Sequence, residues 1–194
     1  MSEDRPNFDR LSSIVPTISV GLLTADLMRL GEELEQLAGV DLQLLHFDVM
    51  DGCFAPGMTV GAPFIKGIKT PLLKDVHLMI EDPVEKLEDY VAAGADLVTV
   101  HVESTRHIHR AFQTLESLST RYEREIIRGI ALNPGTSLET VEPLLGMVET
   151  ITLVGINPGW SGQSICPKTR DRLQRVRGMV RRSGRRILTC VDGG

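Results

Sequence analysis

A rhythm limits what this chain can become. Apolar and β-branched runs recur at residues 14–23, 42–47, 74–79, 96–102, 126–132, 151–156 and 186–191. Between them, helical spacing predicts helices over residues 24–37, 83–93, 106–118, 137–145 and 169–182, with a short one near 64–68. In residues 24–37, for example, Leu27, Leu30, Leu34 and Leu37 fall on one helical face. Strand-then-helix repeated about seven times implies parallel strands joined by right-handed crossovers. Residues 96–102 are apolar or β-branched almost throughout, as a strand buried on both faces should be. Residues 1–12 are polar and read as a flexible arm, leaving 13–194 as one catalytic-sized domain.

The residues that close each strand narrow the fold. Asp51-Gly52, Asn133-Pro134-Gly135, Asn157-Pro158-Gly159 and Asp192-Gly193-Gly194 all stand at strand ends. A (β/α)₈ TIM barrel gathers such ends on its active face, which favours it over an open parallel sheet, the alternative. A barrel needs eight units and ~250 residues. This chain of 194 residues reaches only the end of a seventh strand. The expectation is a barrel lacking its eighth unit, either cut from a longer protein or covering its open edge by self-association as a homo-oligomer.

Composition excludes several partners. Hydrophobic residues make up 42% and charged residues 24%, an ordinary globular balance with enough apolar material for a core. A net charge of −5 supplies no field for nucleic acid or an anionic membrane, so no such partner is expected. No apolar run reaches membrane-spanning length, and Met1-Ser2-Glu3-Asp4-Arg5 lacks a signal-peptide core. Cys53, Cys166 and Cys190 are odd in number and unclustered, which points to free thiols in a reducing, cytoplasmic setting.

The chemistry concentrates on two strands. In His46-Phe47-Asp48-Val49-Met50, alternation puts His46, Asp48 and Met50 on one face. Asp75-Val76-His77-Leu78-Met79 repeats the arrangement about thirty residues on, with Asp75, His77 and Met79 together. A single strand histidine is usually a satisfied core residue. Two strands repeating imidazole, carboxylate and methionine mark a site, because polar groups on an inner face need partners. Across a barrel mouth His46, Asp48, His77 and Asp192 would form two nitrogens and two carboxylates, suited to one divalent ion such as Zn²⁺, Mn²⁺ or Fe²⁺. Asp192 alone reads equally well as a turn residue before Gly193 and Gly194. The glycine-rich runs Asn157-Pro158-Gly159-Trp160-Ser161-Gly162-Gln163 and Asp192-Gly193-Gly194 come after the last two strands, where barrels often bind phosphate. A small phosphorylated molecule is the natural substrate.

Six motifs in order then carry a resemblance. His46 to Gly52 with Phe54 and Pro56, Asp75 to Met79, His101-x-Glu103, Asn133-Pro134-Gly135-Thr136, Pro158 to Gln163 and Val191 to Gly194 together resemble the ribulose-phosphate 3-epimerase family. The resemblance runs from about Ile18 to the end. It implies a (β/α)₈ barrel and inversion at C3 of D-ribulose 5-phosphate to give D-xylulose 5-phosphate, in the pentose phosphate pathway. It also implies that His46, Asp48, His77 and Asp192 are metal ligands and that Asp48 and Asp192 are the two acid/base carboxylates. Gly159, Trp160, Ser161, Gly162, Gly193 and Gly194 would touch substrate or its phosphate, with His77, and Met50 and Met79 would line the cavity.

That reaction explains the residue types. A proton α to a ketone leaves behind an enediolate, which a divalent metal stabilises. Inversion needs one base on each face of C3, hence two aspartates. Methionines would exclude water, although plain core packing also accounts for them. The family has Ser, Asn and Met where this chain has Gly21, Gly57 and Val154, which alters the cavity wall. Two alternatives arise: a 3-epimerase of another ketose phosphate such as allulose 6-phosphate, or a catalytically silent metal- or phosphate-binding relative.

Overall fold

The computed structural model describes residues 5–40 and 42–193. Seven strands form one sheet whose order follows the chain: β1 (Ser19–Gly21), β2 (Leu44–Met50), β3 (Leu73–Met79), β4 (Leu97–His101), β5 (Ile127–Leu132), β6 (Thr150–Val154) and β7 (Leu188–Asp192). Every neighbouring pair is parallel. An open doubly wound sheet would reverse its strand order at a switch point, and this one does not. The sheet also curls. In a flat sheet β3 and β7 would lie roughly 19 Å apart, four spacings of about 4.8 Å. Instead His77 Nδ1 on β3 is 3.1 Å from Asp192 Oδ2 on β7. The fold is therefore the wall of a (β/α)₈-type barrel, seven strands wide.

Helices cover the outside: α2 (Leu30–Ala38), α3 (Ala62–Gly67), α4 (Leu87–Ala92), α5 (Ile108–Arg121) and α6 (Thr169–Ser183), with α1 (Pro6–Ile14) preceding β1. The main core is the layer between wall and helices. Phe47, Val49, Val76, Leu78, Val98, Val100, Ile130 and Ile151 face outward onto Ile65, Leu87, Phe112, Leu115 and Leu118. The alternate residues face the barrel axis, so the two faces of each strand carry different chemistry. Gly129 shows how tight that interior is. A Cβ there would lie 2.3 Å from Thr99 Oγ1 and 2.7 Å from Thr150 Oγ1. A groove of about 780 Å³ runs between β1 and β7, lined by Ser19, Leu44, Thr150, Leu173, Leu188 and Val191.

Three sequence expectations are corrected. The arm expected over residues 1–12 is, from Pro6 on, the nine-residue helix α1. Its Phe8 and Leu11 pack with Leu44, Leu73, Leu97 and Ile127 and plug the end where the strands begin. Two apolar residues three apart suffice for that, and a polar average hides them. The first strand, expected over 14–23, is only Ser19–Gly21, because α1 takes Ile14 and Pro16 cannot donate to a ladder. The helix expected over 137–145 is two short 3₁₀ turns, Leu138–Thr140 and Glu142–Leu144. Pro143 has no N–H to continue an α-helix.

Candidate metal centre and active site

The interior face of β2 and β3 meets the end of β7 at one point. Strand register sets Asp48 beside His77 and Met50 beside Met79. One ligand atom each from His46, Asp48, His77 and Asp192 lies within 4.8 Å of all the others. Asp48 Oδ1 is 3.2 Å from His46 Nε2 and 3.3 Å from His77 Nδ1. Asp192 Oδ2 is 3.1 Å from the same His77 Nδ1. The carboxylates keep about a quarter of their side-chain surface open, whereas His77 is sealed at 1%. The cluster therefore has a closed floor and an open mouth.

Charge and burial compete in this cluster. Burial alone would lower His46, but the Asp75 and Asp48 carboxylates outweigh it and hold its pKa well above the ordinary range. For His77, burial is likewise overridden by Asp192 and Asp48, and the value rises to about 9. Burial would raise Asp48, yet bonds to His46 and His77 drive it well below the usual carboxylate range. Against the same pull of burial, Asp192 is lowered through His77. Without a cation the cluster is thus a set of imidazolium–carboxylate pairs.

His77 Nδ1 is buried and makes no well-aligned hydrogen bond, although two carboxylate oxygens stand just over 3 Å away. Nitrogen and oxygen donors drawn together around an orphaned imidazole nitrogen are what a divalent cation requires. The residues present fit such an ion.

Further side chains hold these four in place. His46 Nδ1 is 2.8 Å from Asp75 Oδ2, which also accepts the Ser19 hydroxyl at 2.8 Å. That fixes the ring so that Nε2 faces Asp48. On the other side His101 Nδ1 lies 3.1 Å from Glu103 Oε2. Burial pushes His101 down to about 4, so it is neutral at ordinary pH. Glu103 would be raised by burial, but His101, the Thr136 hydroxyl and the Asn133 N–H keep it lowered. Sequence reasoning gave neither Asp75 nor the His101–Glu103 pair a role. The alternation of residues 75, 77 and 79 was a visible signal for Asp75.

The mouth is shaped by two loops. Asp51 accepts the N–H groups of Cys53 and Phe54 on Oδ1 and of Glu81 on Oδ2, which ties the loop after β2 to the end of β3. After β6, Gln163 clamps its own loop, donating to Asn157 O at 2.6 Å and Trp160 O at 2.9 Å. The two loops touch. Gly159 has φ +120°, and a Cβ there would lie 2.5 Å from Pro56 Cδ. At Gly57 a Cβ would meet Gly159 O at 3.1 Å and Met50 Sδ at 3.2 Å.

Of the expected substrate contacts, Gly159 lies in this loop contact, while Trp160 and Ser161 are exposed, Trp160 by 55%. Gly162 and Gly193 take positive φ, +77° and +91°. Met79 is buried at 3% and Met50 is half-buried. Gly194 lies outside the described residues. Gly21, paired in register with His46, has open space where a Cβ would project.

Comparison with known proteins decides the family. The model of the ribulose-phosphate 3 epimerase family matches residues 17–194. This chain belongs to that family. A chloroplastic ribulose-5-phosphate-3-epimerase of Arabidopsis thaliana is 38% identical over 192 residues, covering 96% of this chain and 66% of the relative. Ribulose-phosphate 3-epimerase of Escherichia coli K12 is 36% identical over 183 residues, 91% of this chain and 77% of the relative. The Bacillus subtilis protein of the same name is 32% identical over 180 residues, 91% of this chain and 80% of the relative. The chain thus spans slightly under two thirds of the Arabidopsis epimerase and more than three quarters of the two bacterial ones. Among the described residues no helix is long and apolar enough to cross a membrane.

Proposed function

We propose that this chain interconverts D-ribulose 5-phosphate and D-xylulose 5-phosphate, with Asp48 and Asp192 as the two proton-transferring carboxylates. The observation that carries this reading is their convergence. Asp48 from β2 and Asp192 from β7 stand 3.3 and 3.1 Å from one buried nitrogen of His77. One carboxylate, ionised, removes the C3 proton, the planar anion left behind keeps its place, and the other, which enters the step protonated, delivers its proton to the opposite face. Holding both groups at one centre supplies the proximity the reaction needs. Met50 and Met79 wall off water beside the reacting carbons. Backbone of the loops at Gly159–Gly162 and Gly193 offers N–H groups to the phosphate, with Trp160 and Ser161 at the rim.

His46 Nε2, His77 Nδ1 and the two aspartates would hold one divalent ion, Zn²⁺, Mn²⁺ or Fe²⁺. When bound, it supplies positive charge beside the oxygens that become anionic as the proton leaves. Metal analysis of chelator-free protein should find about one ion per chain, and solvent deuterium should enter at C3 during turnover. Turnover without C3 exchange would refute the two-base reading.

A second reading, epimerisation of a different ketose phosphate, is favoured by Gly21. The open space beside it leaves more room near His46 than a serine would. Gly57 pulls the other way, since a Cβ there would press on Gly159 O and Met50 Sδ, which would have to give way. A screen of ketose phosphates with metal-replete protein separates the two. The three free cysteines support a reducing compartment such as the cytoplasm. The groove between β1 and β7 supports self-association, which light scattering would read.

A further inference from the structure

The two candidate ligand histidines are held differently. His46 faces a carboxylate, Asp75, with the nitrogen turned from the site. His77 faces another imidazole, with Nε2 lying 2.8 Å from His101 Nε2. The two ring planes differ by only 11° and the centroids are 4.9 Å apart. Face-stacked rings keep their atoms at about 3.5 Å or more. A 2.8 Å contact between nearly parallel rings is therefore an end-to-end N–H···N hydrogen bond. Such a bond holds one proton and needs one bare nitrogen.

The far side of His101 says which nitrogen is bare. His101 Nδ1 is 3.1 Å from Glu103 Oε2, and a carboxylate oxygen only accepts. The other oxygen, Oε1, accepts the Asn133 N–H at 2.8 Å and the Thr136 hydroxyl, so Glu103 cannot swing away. His101 is 0% exposed and Phe54 packs on its ring with centroids 4.6 Å apart, so water does not compete. Nδ1 of His101 therefore carries a proton; two carboxylates face His77 against the one that faces His101, so the proton between the rings lies with His77 and His101 Nε2 is bare. The shared proton belongs to His77 Nε2.

We propose that the Glu103–His101 pair is a positioning relay that fixes the tautomer of His77, so that Nδ1, between Asp48 and Asp192, is the nitrogen offered to a divalent cation. Its cation-binding half rests on the reading above; its tautomer half stands on geometry alone. General experience with metal sites gives such outer partners a weight of ~10–100-fold in affinity.

Glu103→Gln tests it without changing shape. The Asn133 N–H requires the amide oxygen at the Oε1 position, which turns the amide NH₂ towards His101 Nδ1. The His101 proton then moves to Nε2 and His77 Nε2 becomes the acceptor, so the one proton His77 keeps is that on Nδ1, in the cation's place. Long-range ¹H–¹⁵N spectra of histidine-labelled full chain, metal-free and with Zn²⁺, read the protons directly. Competition with a chromophoric chelator reads the Zn²⁺ affinity.

The wild type should carry the His101 proton on Nδ1, the variant on Nε2, and Zn²⁺ should bind the variant ~10–100-fold more weakly. His46 signals should not move. A wild-type His101 protonated at Nε2 overturns the proposal, and that spectrum suffices even if the variant does not fold. So does a variant that melts lower yet keeps the proton on Nδ1 and the wild-type Zn²⁺ affinity, because that is a purely structural role. A wild type that takes up no Zn²⁺ refutes the proposed function instead, while metal-free His101 still decides the relay.

Discussion

Both ends of this barrel bury acidic side chains, and they answer them with different cations. Where the strands begin, Glu149 bonds Arg128 at 2.7 Å and Arg5 at 3.2 Å, and Glu125 bonds Arg5 at 3.0 Å. Where they end, Asp48, Asp75 and Asp192 are answered by His46 and His77. A guanidinium does not give up its proton, so the cations of the first end are permanent. An imidazolium can exchange its proton for a metal ion, so the second end stays open to chemistry. The same cost of burying charge is met by permanent pairs at the floor and by replaceable ones at the mouth, matching the division of such barrels into a stability face and an active face.

The contrast is tested most severely by neutralising a carboxylate at the mouth. Asp48→Asn and Asp192→Asn should each lower epimerisation by ~10²–10⁴-fold. Thermal melts of the metal-free protein should fall as well, because each carboxylate supports the buried His77 imidazolium. An active double variant would remove both from the mechanism.

Acid should expose the exchangeable character next. Metal-free His77 holds its proton up to about pH 9, so below that a cation must displace it. Zn²⁺ affinity should therefore fall about tenfold per pH unit for each proton displaced, towards acid. The sign reverses for the metal-free fold. With a pKa raised from 6.5 to about 9, His77 contributes stability that is complete below 6.5 and is lost as pH rises through 9. Melts from pH 6 to 10 with and without Zn²⁺ should diverge, and parallel curves would contradict the exchange.

A smaller effect is expected at the floor. Glu149→Gln removes the carboxylate shared by Arg128 and Arg5 and should cost roughly 3 kcal/mol, the lower end for a buried pair because both arginines keep some solvent contact. Denaturant unfolding would measure it, with kcat unchanged in the surviving protein. The smallest change in turnover is at the mouth loops. Gly159→Ala combines a positive φ with a clash on Pro56 and should strain the loop by roughly 1–3 kcal/mol. It should appear in KM for the sugar phosphate, with kcat within about twofold.

Local sequence was enough for the number and direction of the strands, the faces of His46, Asp48, His77 and Met79, and the turn glycines at the strand ends. Side-chain alternation and the conformational needs of turns are written into neighbouring residues, and the four candidate ligands could be grouped on that ground. Pro143 was equally legible as the break in 137–145, though the helical spacing around it read as a longer helix.

It took the assembled barrel to show that Asp192 is more than a turn residue, that Phe8 and Leu11 close the floor, and which nitrogen of each histidine faces the site. Asp75 reaches His46 and His101 reaches His77 through inter-strand register, and Asp192 arrives through the curl of the sheet. Register and curl are set by the packing of helices against the outer face, summed over residues far apart in the chain. A local pattern tells which way a side chain points; the packing of distant elements decides what it meets there.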